Sequence, residues 1–265
     1  DSKLDRELAH LNLEQLSVFA YQGVPLGELV LPAARWILRR NHLQDDPVTR
    51  RILREYIRSA WSLKNQFEAL LDTVKPSAAV VYNGMMYPEA VARWVGRQKG
   101  LPVYSYEVGL RPLSAFFTSG DATAYPLELP AGFELSAEQN ARLDAYLQQR
   151  FEGNFIMAGV KFWPEMSRLD KDFLELASHF QQVVPIFTNV IFDTSQPHAN
   201  VIFENMFAWL NDLLVIARRH PETLFVIRAH PDEARKGKAS EESVAEWAEA
   251  HNVTSLPNIR LMPPE

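Results

Sequence analysis

Leu224-Phe-Val-Ile-Arg-Ala-His-Pro-Asp-Glu233 is the stretch whose reading decides the fold. Its first four residues are a short apolar run, bounded by Pro221-Glu222 before it and by His230-Pro231 after it. That pattern predicts a buried strand. Arg228 and His230 then fall at the strand's carboxyl end, the edge where open α/β sheets bind their ligands. A guanidinium presents a planar fork of donors suited to phosphate, and an imidazole donates to an oxyanion or moves a proton near neutral pH. The plain alternative is a surface arginine and a histidine that caps a turn. The tripeptide alone does not choose between them, so the surrounding pattern has to.

Working outward, Val183 to Asn189 reads as a second strand, with Pro185 counting against its first residues. Residues 201–219 (Val201, Phe203, Met206, Phe207, Leu210, Leu213, Leu214, Ala217) repeat at helical spacing. Ser240 with Glu241 and Glu242 is expected to start another helix, and Asn258 to Met262 a further strand. The first half has the same grammar. Ala78 to Gly84 is a strand leaving into a glycine turn, Pro88 opens a helix closed by Gly100, and Leu101 to Tyr106 is the next strand. Strand, helix, strand in about thirty residues is a βαβ unit with parallel pairing. Ahead of it, Asp46-Pro47 starts a long amphipathic helix that ends before Pro76. Residues 32–40 read as a helix and Gly23 to Gly27 as a turn-rich loop. Between the halves, irregular stretches at 111–134 and 153–170 flank a helix near 137–150. The expected architecture is α/β with two lobes, residues 1–175 and 176–265, in a chain trimmed at both ends.

Bulk properties narrow the function. With 265 residues and 47% hydrophobic content the chain can bury a sizeable core. A net charge of −6 argues against a nucleic-acid partner, which needs a basic face. Residues 35–64 are a local exception, with Arg35, Arg39, Arg40, Arg50, Arg51, Arg54, Arg58 and Lys64 against Asp45, Asp46 and Glu55. A solvated helix face is the plain reading, and a peripheral contact with anionic lipid or an anionic acceptor is the alternative. With no cysteine there is no disulfide and no thiolate metal site, which fits a reducing compartment.

Polar groups gather at the predicted strand ends: Asn83-Gly84 and Glu107-Val-Gly109 in the first half, Asn189 and Arg228/His230 in the second. A cleft enzyme needs this distribution, with a carboxylate base from one lobe and donors for a leaving group from the other. Glu107 is the base candidate, its plain alternative being a turn carboxylate. Lys236 and Lys238 lie in a Gly-containing loop ahead of Ser240, where a phosphate could be met or where they are merely solvated.

Several segments together resemble the capsule-polysaccharide-biosynthesis type of glycosyltransferase, a GT-B-like family. They are Gly23-Val-Pro-Leu-Gly-Glu-Leu29, Val80-Val-Tyr-Asn-Gly84, Tyr106-Glu-Val-Gly109, Phe187-Thr-Asn-Val190 with Asp193, and Ile227-Arg-Ala-His-Pro-Asp-Glu233 followed by Lys236, Lys238 and Ser240. Each is weak alone; the order and spacing carry the likeness. It implies two Rossmann-like lobes facing a cleft and metal-independent transfer of a sugar from a nucleotide donor to a surface-polysaccharide, glycan or lipid-linked acceptor, with no cofactor. His230-Pro231 is similar to a motif used at the donor nucleotide, and Glu107 to the first-lobe acidic base. The implied donor side is Asn189, Arg228, Glu233, Lys236, Lys238 and Ser240, and the acceptor side Asn83, Gly84 and Gly109. The family's Ser/Thr-rich donor-phosphate motif falls beyond the last residue here. The implied setting is bacterial and cytoplasmic, with the inner face of the membrane as a second option.

Rival readings remain. A polyol-phosphate transferase would use the same scaffold, and a non-catalytic nucleotide- or carbohydrate-binding module would use exposed aromatics, for which Phe162 and Trp163 are the candidates. A metal hydrolase would draw on His220, His230, His251, Asp232 and Glu233, but none has the His-Glu-x-x-His spacing that sets two ligands on one helical face. A dinucleotide oxidoreductase would need a Gly-x-Gly-x-x-Gly after its first strand, and no such run is present.

Overall fold

A computed structural model describes residues 1–109, 111, 113–154, 169–237 and 239–263. Lys238 and the Phe162–Trp163 pair lie outside the described residues. Four helices lead into the first sheet: α1 (Ser2–Leu8), α2 (Leu13–Ser17), α3 (Leu26–Leu38) and α4 (Pro47–Val74). The Asp46 carboxylate accepts the N–H groups of Val48 and Thr49, and Pro47 occupies the first turn, so α4 starts where the sequence places it. Its buried stripe includes Leu53, Ile57, Ala60 and Leu71. Helix α3 begins earlier than residue 32, taking in part of the expected loop. Gly27 is the reason. A Cβ there would come within 2.3 Å of the Leu16 carbonyl oxygen, so only glycine lets the first turn of α3 rest on the end of α2.

Strand β1 (Ala79–Tyr82), helix α5 (Tyr87–Gln98) and strand β2 (Val103–Val108) form the parallel βαβ unit, with Ala79 opposite Val103 and Tyr82 opposite Tyr106. Strand β3 (Ala115–Thr118) then runs back antiparallel along β2, in a stretch expected to be irregular. The Gly109 N–H donates to the Ser114 carbonyl at 2.9 Å and closes the turn. Four residues give too short an alternation to be read as a strand; pairing with β2 makes it one.

Helices α6 (Ala137–Phe151) and α7 (Lys171–Ser178) lead to the second sheet. There β4 (Gln182–Phe187), β5 (Thr223–Arg228) and β6 (Ile259–Met262) run parallel in the order β4-β5-β6. The central strand β5 is buried from Thr223 to Ile227, and Pro185 sits on the edge strand β4, where no ladder donor is lost. Between β4 and β5 lie α8 (Gln196–Ala199) and α9 (Met206–Arg219); α10 (Val244–Ala250) precedes β6. Helix α9 starts at Met206 rather than 201 because Asn205 caps it, and Val201, counted on its apolar face, is exposed. Helix α10 starts after Ser243, whose hydroxyl and Glu246 form a reciprocal cap; Ser240 is not its N-cap.

The fold is therefore α/β with two small sheets, one mixed and one parallel. One hydrophobic core joins α1 through α5, and another joins β5, α9 and α10. Trp36 of α3 crosses between them, meeting Phe192 edge-on at 5.6 Å between ring centres. Among the described residues no helix is long and apolar enough to cross a membrane.

Candidate functional site

The carboxyl end of β1 meets the loop that follows β4 at a polar junction. Asn83, just past β1, adopts a left-handed backbone (φ 57) that Asn tolerates better than most side chains. Its N–H donates to the Tyr106 carbonyl at 2.8 Å, and its Oδ1 accepts from the Met85 N–H at 2.9 Å. With the side chain fixed, Nδ2 donates to Glu107 Oε1 at 2.5 Å and to Thr194 Oγ1 of the second lobe at 3.2 Å. Gly84 follows with φ 84, and a Cβ there would touch the Ser105 Cβ at 3.3 Å. Glu107 Oε2 accepts from the Val108 N–H at 3.2 Å. Two phenols face this carboxylate. Burial, then the Glu107 charge, raise the Tyr82 and Tyr125 hydroxyls above the ordinary tyrosine range, so both stay protonated at neutral pH. The Tyr125 hydroxyl donates to the Val108 carbonyl at 2.8 Å.

On the second lobe a chain of bonds runs from Thr194 back to β5. The Asp193 carboxylate accepts the Ser195 N–H at 2.9 Å and its hydroxyl at 2.5 Å. Asn189 Nδ2 donates to the same Ser195 hydroxyl at 3.3 Å, and its Oδ1 accepts from Val190 N–H at 2.8 Å. Thr188 donates its N–H and hydroxyl to the Arg228 carbonyl, each at 3.2 Å. Arg228 Nη1 donates to the Pro263 carbonyl at 2.7 Å. His230 Nδ1 accepts the Asp232 N–H at 3.1 Å and caps a short turn over Pro231–Glu233. An accepting Nδ1 places the proton of the neutral ring on Nε2, leaving that nitrogen a donor.

The structure brings Asn83, Gly84 and Glu107 together with Thr194, and ties Asn189 to the same loop. It takes others elsewhere. Glu233 is 5% exposed, and its carboxylate accepts the Val244 N–H at 3.1 and 3.4 Å, closing the amino end of α10. Burial pushes its carboxyl up to about 7. Ser240 donates to the Glu242 carbonyl at 2.7 Å, on the seam against the α3–α4 loop. Lys236 is on an exposed loop, and Gly109 serves the β2–β3 turn. Sequence reading missed Thr194, Tyr82 and Tyr125; only the neighbouring Asp193 pointed toward the first of them.

The basic run at 35–64 is largely engaged within the chain. Arg39 meets Glu241 at 2.8 Å, Arg50 meets Asp45 at 2.9 Å, and Arg54 donates to the carbonyls of Leu8 and Leu11. Arg58 pairs with Asp5 and Glu55, and Lys64 pairs with Glu68 while lying over Trp61. The histidines read as a metal set serve separate termini. His220 and His251 follow the last turns of α9 and α10, and no group of three acidic or histidine side chains among the described residues could hold a metal ion. Between α3 and the segment 191–205 lies a cavity of about 310 Å³ with Arg35, Asp193, Thr194 and Gln196 on its walls.

No family model matches the chain, and no curated protein does. Among solved structures it is similar to the UDP complex of MnaA from S. aureus, at 12% identity over 78% of this chain, with a TM-score of 0.26. The chain spans about half, 52%, of that protein's length. A likeness of this size defines no family. What the fold and the junction themselves define is a two-lobed α/β protein whose sheets bring polar carboxyl edges together.

Proposed function

We propose that the chain is the catalytic region of a metal-independent glycosyltransferase that moves a sugar from a nucleotide donor to a glycan or lipid-linked acceptor. The observation that carries the reading is the bridge from Glu107 through Asn83 to Thr194, which joins a carboxylate of one lobe to the other lobe at the strand ends. Glu107 takes the proton of an acceptor hydroxyl as the oxygen forms its bond to the anomeric carbon. The bond from that carbon to the donor phosphate breaks, and its electron pair leaves on the phosphate oxygen. Arg228 and the Nε2–H of His230 stabilise that oxygen, which helps only insofar as their bonds strengthen while charge develops. Asn83 holds the base in place with a bond that does not neutralise it.

A calorimetric screen of CMP, UDP, GDP and their sugars, on wild type and His230→Ala, tests the donor half. One nucleotide should bind, and its affinity should fall about tenfold or more in the variant, as expected for loss of a charge-assisted bond. Glu107→Gln should bind the same nucleotide unchanged while turnover falls about a hundredfold or more. Absence of nucleotide binding in every arm would sink the proposal.

A further inference from the structure

The cavity beside the junction has walls whose hydrogen-bonding capacity the fold leaves unused. Gln196 is 7% exposed and lines the cavity, yet its side-chain amide makes no hydrogen bond among the described residues. The amide opens on the cavity wall, where its donor and acceptor can both bond to something that enters. The Arg35 guanidinium makes a single hydrogen bond among the described residues, from Nε to the Asn41 carbonyl at 3.1 Å, and burial lowers its pKa. The side chains of Asn200 and Glu204 make none among the described residues. Thr194 accepts from Asn83 and keeps its own hydroxyl proton to give.

These groups sort ligands by chemistry. Arg35 offers only donors, Glu204 and Asp193 only acceptors, and Gln196, Asn200 and Thr194 offer both. A phosphate or carboxylate offers acceptors alone and would share the cavity with two carboxylates. Sugar hydroxyls donate and accept at once and match every wall. Size points the same way. At about 310 Å³ the cavity stands at the small end of ligand sites, roughly 300–1,000 Å³, which suits one sugar ring rather than a whole nucleotide-sugar.

We infer that this cavity is a subsite for one uncharged pyranose ring of the acceptor glycan, with Gln196 as its main amide contact. The assignment rests on the transferase reading for the word acceptor, because Thr194 belongs both to the cavity and to the bridge that ends on Glu107. A ring seated there is held next to the base by the same side chain that anchors the base's partner.

The test is sugar binding by saturation-transfer NMR and calorimetry on the nucleotide-free chain. The panel is neutral hexoses, N-acetylhexosamines, hexuronates and inorganic phosphate. At least one neutral sugar should bind with a Kd of about 1 mM or tighter. Gln196→Leu and Asn200→Ala should each weaken it about tenfold, while thermal midpoints stay close to wild type. Asn200 is half-buried, so its variant keeps the test alive should the Gln196 variant fail to fold. Preference for phosphate or hexuronate overturns the inference, as does no neutral sugar binding up to about 10 mM, or unchanged binding in both variants. The nucleotide screen is a separate readout. Sugar binding without nucleotide binding would leave a carbohydrate subsite and sink the transferase; transfer with an acceptor KM unmoved by both variants would sink the subsite alone.

Discussion

Glu233 should make the second lobe lose stability as pH rises, and the size of the effect follows from its position. The carboxyl is 5% exposed, and burial raises it from 4.5 to about 7, with Glu246 adding to the rise and the Val244 N–H opposing it. In the unfolded chain it titrates near its ordinary value, so below about 4.5 both states are protonated and no free energy depends on it. Between 4.5 and about 7 the unfolded chain releases this proton while the folded chain keeps it, and stability falls until the folded form ionises too. At about 1.36 kcal/mol per pH unit, the interval is worth about 3 kcal/mol by pH 8. Glu233→Gln keeps an oxygen for the Val244 N–H and cannot ionise. It gives up the favourable interaction of a charge with the amino end of α10, roughly 0.3–1 kcal/mol. Urea unfolding of both proteins at pH 5 and pH 8 isolates the residue, because all other groups cancel in the difference. Wild type should lose about 2–3 kcal/mol more than the variant between the two pH values, a difference of roughly 2–4 °C per kcal/mol in thermal midpoint. Identical pH dependence of the two proteins would refute the argument. Nucleotide affinity should be the same in both, since the carboxylate is directed at α10.

Gly27→Ala should cost about 1–3 kcal/mol, because its methyl would meet the Leu16 carbonyl at 2.3 Å and the Phe19 nitrogen at 2.6 Å and force α3 away from α2; unfolding curves within error of wild type would contradict this. Glu242→Ala removes the acceptor of the Asn41 and His42 N–H groups and of the His42 ring, at 2.7, 3.1 and 2.8 Å, and should cost about 1–3 kcal/mol. Arg39→Ala on the same seam breaks an exposed ion pair with Glu241 and should cost about 1 kcal/mol or less in the same measurement. Asn83→Ala should leave nucleotide affinity unchanged while lowering turnover about tenfold or more, by removing the amide that ties Glu107 to the second lobe; turnover equal to wild type would show that the bridge does not position the base.

What the chain alone determined was whatever short-range chemistry encodes. Asp46-Pro47 starts α4 by a cap and a fixed φ, both contained within four residues. The runs read as strands up to Tyr106 and Ile227, and the one that leaves into Asn83-Gly84, are strands because turn residues lie beyond each, and that placed Asn83 and His230 past strand ends before any packing was known; Glu107, read as following its strand, lies inside β2 opposite Phe116. Tertiary structure decided the rest. β3 exists because β2 offers it an edge, and Ser240 serves the seam rather than α10 because Arg39, 201 residues away, comes to meet it. The Asn83–Thr194 bond closes a separation of 111 residues, and Gln196 acquires its open amide only when α3 forms the opposite wall of the cavity. Caps and periodicity act between near neighbours and leave a mark in every local window. Contacts across a hundred residues are selected by the packing of two cores against one another, and no local pattern records which side chains that packing will bring together.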